Sequence, residues 1–146
     1  MKILVGSDHA GFELKEDIKL YLQELGHEVI DYGTHSSEMM DYPDVAFPLA
    51  RDVVGRVGEK GILCCGTGVG ICIAANKVRG VRAANCHDTF SARSSREHND
   101  ANILTLGGRV IGKGLARDIV KIWVESQFLG GRYQRRLVKV EDYENR

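Results

Sequence analysis

The chain has 146 residues, and its 20 basic and 20 acidic side chains give a formal net charge of zero. This length suits one domain, residues 1–146, with a sizeable core, and the neutral charge gives no reason to expect nucleic acid or a membrane surface as a partner. The chain has no apolar run of membrane-spanning length and no signal-peptide pattern, so a cytoplasmic protein is expected.

The first half of the chain predicts two strands and two helices. Residues 3–5 form an apolar strand, and apolar side chains then recur at helical spacing until Gly26, a typical residue after a helix end. A second strand over 28–32 leads into a polar loop, 33–43, whose length suggests a functional role. The apolar positions of the following helix are Val45, Leu49, Val53 and Val57. Pro48 is expected to confine the regular part of this helix to the residues after it.

The second half continues the alternation of strands and helices. Strands are predicted at 62–65, 81–86 and 103–106, and helices from about Val69, at 89–97 and along Leu115, Ile119, Ile122, Trp123 and Ser126. Asp88 is placed to cap the helix at 89–97. The charged tail, about 132–146, is expected to be helical. This alternation predicts a parallel sheet with helices on both faces, an α/β sandwich of the Rossmann-like type.

Polar residues follow the predicted strands at their carboxyl ends, where parallel sheets bind ligands. These positions are Asp8–His9, Cys65 to Gly70, His87–Asp88 and Gly107 to Arg109. Asp8 and His9 could contact a ligand, or they could be an N-cap followed by a solvated ring. The candidate residues therefore lie on one edge of the sheet.

The turn with Gly66, Gly68 and Gly70 connects a buried strand to a helix start and places Cys65 at its edge. Glycines let a ligand approach the backbone, and the unpaired N–H groups of a helix start can hold a phosphate, a carboxylate or an enediolate. A helix N-terminus also favours thiolate over thiol. The residues of the turn do not match a Walker loop, a phosphatase loop or a dinucleotide-binding fingerprint. A tight connection without a ligand is the alternative.

The other cysteines have structural explanations. Cys64 precedes Cys65 in the same strand, so its side chain is expected to point to the opposite face and pack in the core. Cys72 and Cys86 are expected to be small buried hydrophobic residues. The four cysteines match no zinc spacing, and in a cytoplasmic protein they are expected to be reduced. No metal site is therefore predicted.

Six short segments occur in an order that resembles one known family. They are GSDHAGF (6–12), DYP (41–43), CGTGVGI (65–71), AANK (74–77), REHND (96–100) and GGRYQRR (130–136). They span nearly the whole chain and resemble the type B ribose-5-phosphate isomerases, in the family shared with galactose-6-phosphate and allose-6-phosphate isomerases. The resemblance implies a three-layer α/β/α sandwich with a five-stranded parallel sheet. It also implies a homodimer or homotetramer whose active sites are shared between subunits.

The activity implied by the resemblance is aldose–ketose isomerisation of D-ribose 5-phosphate and D-ribulose 5-phosphate through an enediolate. Such a reaction needs a base that serves two carbons and donors for the developing oxyanion, and it needs no cofactor. The resemblance assigns proton transfer to Cys65, because the glutamate used by another branch is replaced here by Ile71. It assigns ring opening to His98, which would otherwise be interpreted as a surface histidine. Thr67 and the N–H groups of the glycine turn would cradle the enediolate, unless Thr67 merely caps the helix.

The resemblance also implies a set of residues that bind the sugar phosphate. They are Asp8, His9, Tyr42, Gly66, Gly68, Gly70, Asn99, Arg109, Arg132 and Arg136. Arg132 and Arg136 are four residues apart, so on a helix they share one face and could clamp a phosphate, with a solvated basic stripe as the alternative. His98, Asn99 and Arg109 would come from the partner subunit, and Asp8 and His9 would contact hydroxyls or the phosphate. Tyr42 would line the sugar pocket.

Two other functions are compatible with the sequence. Pocket length would decide between a pentose phosphate and a six-carbon sugar phosphate. A non-catalytic domain that binds a phosphosugar or a nucleotide would use the glycine turn but would need neither Cys65 nor His98. Many relatives have histidine after the first clamp arginine, where this chain has Tyr133. Tyrosine cannot carry a positive charge near neutrality, so the phosphate affinity or the length of sugar accepted could differ.

Overall fold

The computed structural model describes residues 1–146 and contains five strands and six helices. The strands are β1 (Lys2–Ser7), β2 (Glu28–Asp31), β3 (Lys60–Cys65), β4 (Ala83–Asn85) and β5 (Ile103–Gly107). The helices are α1 (Phe12–Glu24), α2 (Pro43–Val54), α3 (Val69–Ala75), α4 (Thr89–Glu97), α5 (Lys113–Glu125) and α6 (Arg132–Glu144). Strands and helices alternate up to α5, and α6 then follows α5 directly.

All five strands are parallel and lie in one sheet in the order β2-β1-β3-β5-β4. β3 is the central strand, and its register aligns Gly61 with Ile103 and Cys65 with Gly107. Because β5 inserts between β3 and β4, β4 is an edge strand. The strand order reverses between β1 and β3, which is the kind of switch point where α/β sheets open a crevice at the carboxyl ends of their strands.

Helices cover both faces of the sheet and bury two apolar clusters. One cluster of 16 buried residues joins α1, α4 and α5 to the sheet and contains the fully buried Trp123, and a second cluster of 13 residues joins α2 and α3 to the other face. Cys64 belongs to the first cluster and Cys65 to the second, because neighbours in a strand point to opposite faces. Burial raises the pKa of Cys64. The predicted three-layer sandwich is confirmed, and Cys64 packs in its core.

Helix α2 differs from the prediction at its start. It begins at Pro43 and continues through Pro48, whereas the sequence predicts regular helix only after Pro48. Pro48 lacks only the N–H that would donate to Asp44, an exposed residue of the first turn whose carbonyl group water can satisfy. The helix therefore continues through Pro48 with one backbone hydrogen bond fewer. Val57, expected on this helix, lies beyond its end and is exposed.

Other boundaries follow local hydrogen bonding. Asp88 caps α4 as predicted, because its carboxylate accepts a hydrogen bond of 2.6 Å from the backbone N–H of Ser91. β4 is shorter than the predicted strand at 81–86, since the backbone N–H of Arg82 donates to the side chain of Asn102 instead of to a strand. None of the helices is both long enough and apolar enough to cross a membrane.

Candidate active site

The glycine turn after β3 places a backbone donor on a buried sulfur atom. Cys65 is the last residue of β3 and is 4% exposed. The backbone N–H of Gly68 donates to Cys65 Sγ across 3.1 Å. Gly68 has φ +79°, and a Cβ atom there would lie 2.8 Å from the carbonyl carbon of Leu106, so only glycine fits. A donor aimed at sulfur stabilises a thiolate, the form that acts as a base or nucleophile.

A buried hydroxyl group supports this turn from behind. Thr105 of β5 is fully buried, and its Oγ1 donates to the carbonyl oxygen of Gly68 at 2.9 Å. The side-chain oxygen of Asn85 lies 3.2 Å from the same hydroxyl group. These contacts fix the carbonyl group of Gly68, the residue whose N–H points at Cys65. The sequence patterns do not single out Thr105, although one polar residue within the apolar run of β5 is a signal that could have identified it.

The other residues of the turn differ in their surroundings. A Cβ atom on Gly66 would meet Ala10 and Arg109 at 3.6 Å, an ordinary contact distance, so no steric clash requires glycine at this position. A Cβ atom on Gly70 would lie 2.8 Å from Cζ of Tyr42, so glycine is needed there because the tyrosine ring packs on the backbone. Thr67 is exposed, and its Oγ1 accepts a hydrogen bond of 3.1 Å from the N–H of Val69. Its hydroxyl proton is therefore free to point toward a ligand.

Asp8 and His9 lie at the carboxyl end of β1. Asp8 is 6% exposed, and its Oδ1 accepts a hydrogen bond of 3.0 Å from the N–H of Gly11 at the start of α1. His9 is half-buried, and its Nδ1 lies 3.2 Å from both the backbone N and O of Met40. The ring is therefore fixed through Nδ1, and Nε2 is free to meet a ligand. Met40 belongs to the loop that also carries Tyr42.

A buried lysine holds the start of this loop between β2 and α2. Lys15 is 1% exposed and donates to both carboxylate oxygens of Asp31 at 2.9 Å and to the carbonyl oxygen of Thr34 at 2.6 Å. Asp31 also accepts hydrogen bonds from Lys19 and from a backbone N–H. Burial acts to raise the pKa of Asp31, but these donors outweigh it and hold the pKa below its usual value. The loop is thus tied to both α1 and β2.

Two further residues complete this edge of the sheet. Arg109 follows β5, its backbone N–H donates to the carbonyl oxygen of Gly66 at 3.0 Å, and its side chain lies beside Gly66 of the same chain. His87, to which the sequence assigns no role, accepts a hydrogen bond of 3.0 Å from the backbone N–H of Gly107 through Nε2. Gly107 is the register partner of Cys65. His87 therefore fixes the backbone beside the thiol.

His98 and Asn99 lie at the opposite edge of the sheet. α4 starts just after the carboxyl end of β4 and runs back along the sheet, so His98, its C-cap residue, reaches the amino edge. The chain then enters β5, whose last residue aligns with Cys65. Four strand rises separate the ends of β5, a distance of about 13 Å. His98 therefore cannot reach Cys65 of its own chain.

The two arginines predicted to clamp a phosphate lie on the same side as His98. The His98 ring stacks on Tyr133, with ring centroids 4.3 Å apart and an interplanar angle of 11°. Arg132 donates to the hydroxyl oxygen of Tyr133 at 2.9 Å, and Arg136 lies 5.9 Å from the centre of the same ring. The structure thus brings the predicted residues into two groups. We call them the thiol group (Asp8, His9, Tyr42, Cys65, Gly66, Thr67, Gly68, Gly70 and Arg109) and the imidazole group (His98, Asn99, Arg132 and Arg136).

The carboxyl edge of this Rossmann-like sheet carries a nearly buried thiol with an N–H donor and the buried carboxylate of Asp8, at the place where α/β enzymes bind their ligands. The family model described as ribose/galactose isomerase matches residues 3–140. The chain belongs to this family and is an aldose–ketose isomerase.

Individual relatives are similar to this chain over nearly their whole length. Ribose-5-phosphate isomerase B of Escherichia coli is 51% identical over 145 residues, which cover 99% of this chain and 97% of the relative. D-erythrulose-4-phosphate isomerase of Pectobacterium atrosepticum is 44% identical over 146 residues, which cover 99% and 96%. The structure of Clostridium thermocellum ribose-5-phosphate isomerase B is 52% identical, with a TM-score of 0.98 and coverage of 99% and 98%.

Proposed function

We propose that the protein interconverts D-ribose 5-phosphate and D-ribulose 5-phosphate, and that Cys65 carries the proton between the two reacting carbons. The observation that supports this role is the 3.1 Å hydrogen bond from the N–H of Gly68 to Cys65 Sγ. The relative from Escherichia coli and the structure from Clostridium thermocellum, both named ribose-5-phosphate isomerase B, support the pentose phosphate.

The reaction begins with the cyclic aldose. His98 of a second copy accepts the hydroxyl proton of the ring form and returns a proton to the ring oxygen, which opens the chain. The Cys65 thiolate then removes the proton on C2, and negative charge develops on the oxygen at C1. Thr67 and the N–H groups of the glycine turn donate to this oxygen. The hydroxyl proton at C2 moves to the oxygen at C1, and Cys65 returns its proton to C1, which gives the ketose and regenerates the thiolate.

The remaining residues hold the substrate. Arg132, Arg136 and Asn99 would bind the phosphate and the adjacent oxygens, because guanidinium groups fit phosphate oxygens in pairs. On the thiol group's side, Asp8 and Nε2 of His9 would contact sugar hydroxyls, with Tyr42 as a wall of the pocket. Arg109 lies beside Gly66 within one chain, where it would neutralise charge near the enediolate.

The same arrangement requires a second copy of the chain. The thiol group and the imidazole group lie at opposite edges of one sheet, so one chain carries two incomplete halves of a site. A two-fold dimer would place the imidazole group of each copy over the thiol group of the other and complete two sites at once. A tetramer built from such dimers would meet the same requirement.

A shorter substrate is a second candidate. The 44% identical relative named D-erythrulose-4-phosphate isomerase supports a four-carbon sugar phosphate. The same proton transfer between C1 and C2 would serve it. Parallel assays of four-, five- and six-carbon sugar phosphates would show which has the highest kcat/KM.

Replacing Cys65 tests the proposed base. Cys65→Ala should lower kcat on ribose 5-phosphate by about a thousandfold, within the range of a general base, and should leave competitive inhibition by inorganic phosphate in place. Cys72→Ala is the matched control, because this half-buried thiol lies outside both groups. Its rate should stay close to that of the unmodified protein. A Cys65→Ala rate within about tenfold of the unmodified protein would exclude this residue as the base.

A further inference from the structure

We propose that Tyr133 is a positioning residue that holds His98 and Arg132 in one fixed arrangement, so that phosphate binding and ring opening act together. The inference rests on the proposed function, because it assigns ring opening to His98 and phosphate binding to Arg132. It goes beyond that function in giving this tyrosine a task of its own. Tyr133 itself need not touch the substrate.

The first contact fixes the imidazole ring. The rings of His98 and Tyr133 are nearly parallel, with an angle of 11° and centroids 4.3 Å apart. A stack of this kind restrains the face of the imidazole and leaves both nitrogens at its edge. Those nitrogens can therefore exchange protons with a sugar while the ring keeps one orientation.

The second contact fixes a guanidinium group. Arg132 donates to Tyr133 Oη at 2.9 Å, and its central carbon lies 5.0 Å from the tyrosine ring centre. Arg136 is also near this ring, at 5.9 Å. An arginine has five N–H donors, so most of those on Arg132 stay available for a phosphate. One aromatic ring thus contacts His98, the proposed ring opener, and lies near both arginines.

The backbone brings these side chains together. The N–H of Leu129 donates to the carbonyl oxygen of Glu97, the last residue of α4, at 3.1 Å. Gly131, with φ +56°, then turns the chain into α6, and Tyr133 is the second residue of that helix. Tyr133 is half-buried between the end of α4 and the start of α6. A ring at this position is therefore supported on both sides.

The choice of sugar separates ring opening from phosphate binding. D-ribose 5-phosphate is cyclic in solution and must open, whereas D-erythrose 4-phosphate carries its phosphate on the oxygen that would close a five-membered ring. The four-carbon sugar therefore needs a phosphate clamp but no ring opener. A defect in His98 should affect the five-carbon substrate selectively, and a defect in the arginines should affect both.

Two variants of Tyr133 use this difference. Tyr133→Leu removes the stack and should lower kcat on ribose 5-phosphate about tenfold more than on erythrose 4-phosphate. Tyr133→Phe keeps the stack and loses only the contact with Arg132, so its kcat on both sugars should stay within about twofold while KM rises. His98→Gln should show the same selectivity as Tyr133→Leu. Equal losses on both sugars in Tyr133→Leu would overturn the inference.

A spectroscopic readout keeps the test independent of catalysis. The ring current of the aromatic residue at position 133 should shift the carbon-bound protons of His98 upfield in the NMR spectra of the unmodified protein and of Tyr133→Phe. This shift should disappear in Tyr133→Leu, which has no ring at this position. Identical His98 signals in all three proteins would overturn the inference even if no sugar were converted. Loss of the shift without any isomerase activity in the unmodified protein would instead contradict the proposed function alone.

Discussion

Two inactive variants should restore activity when they are mixed, because each proposed site takes its groups from two copies. Cys65→Ala removes the proposed base from the carboxyl edge of the sheet, and His98→Gln removes the proposed ring opener from the amino edge. Within one chain β5 keeps these edges about 13 Å apart, and its last residue aligns with Cys65. A dimer site must therefore combine Cys65 of one copy with His98 of the other.

The size of the effect follows from counting sites. Equal amounts of the two variants, unfolded together and refolded, pair at random, so about half of the dimers are mixed. In each mixed dimer one site carries both substitutions and the other carries neither. About one quarter of all sites are then unmodified, and the initial rate on ribose 5-phosphate should be about one quarter of that of the unmodified protein.

A second mixture serves as the matched control. The unmodified protein refolded with an equal amount of the double variant Cys65→Ala/His98→Gln should keep about one quarter of the sites if they are shared, but about one half if each chain forms its own. Each single variant refolded alone gives the background rate. A mixture of the two single variants no more active than that background would refute the shared site.

Substitutions at four further positions test other parts of the structure. Thr105→Val should slow alkylation of Cys65 by iodoacetamide at pH 7 and lower kcat by about tenfold. Thr105→Ser keeps the hydroxyl group, so its alkylation rate and its kcat should stay near those of the unmodified protein. Equal rates in the two variants would show that the hydroxyl group has no role. Arg136→Ala should raise KM far more than it lowers kcat, because a remote phosphate contact contributes uniform binding, and an unchanged KM would remove it from the clamp. Lys15→Met should lower the free energy of unfolding in urea by about 3 kcal/mol. This value is the lower end for a broken buried ion pair, because Asp31 keeps Lys19 as a partner. A loss below about 1 kcal/mol would contradict this prediction. Since the pKa of Asp31 is lowered in the folded state, its stabilising effect relative to Asp31→Asn should be complete above about pH 5 and should disappear as the pH falls through the lowered pKa.

The fold could be predicted because its signals are local and periodic. Alternation along β3 placed Cys64 in one core and Cys65 at the other face, and Asp88 marked a helix start, as the structure confirms. Pro48 gave a wrong boundary because the carbonyl group that loses its donor to this proline belongs to Asp44, an exposed residue of the helix. Sequence does not show that exposure.

The candidate site was only partly accessible from sequence. Residues that follow strands could be gathered at the carboxyl edge by the rule for parallel sheets, and this included Asp8 and Cys65. The position of His98 depends on the length and direction of α4, which place it at the other edge. Thr105 and His87 support the backbone through contacts between distant segments. Such contacts have no spacing pattern in the chain, so only the folded structure shows them.

The two groups that we propose to meet between copies lie at opposite edges of one sheet, and two such surfaces could also build a growing fibre. If every copy seated its imidazole group on the thiol group of the next without a return contact, addition would continue without end. A two-fold axis stops growth at a closed pair, since both surfaces of both copies are then occupied. A substitution that tilts the contact away from this axis should therefore produce filaments, which electron microscopy would detect, and not simply separate the copies.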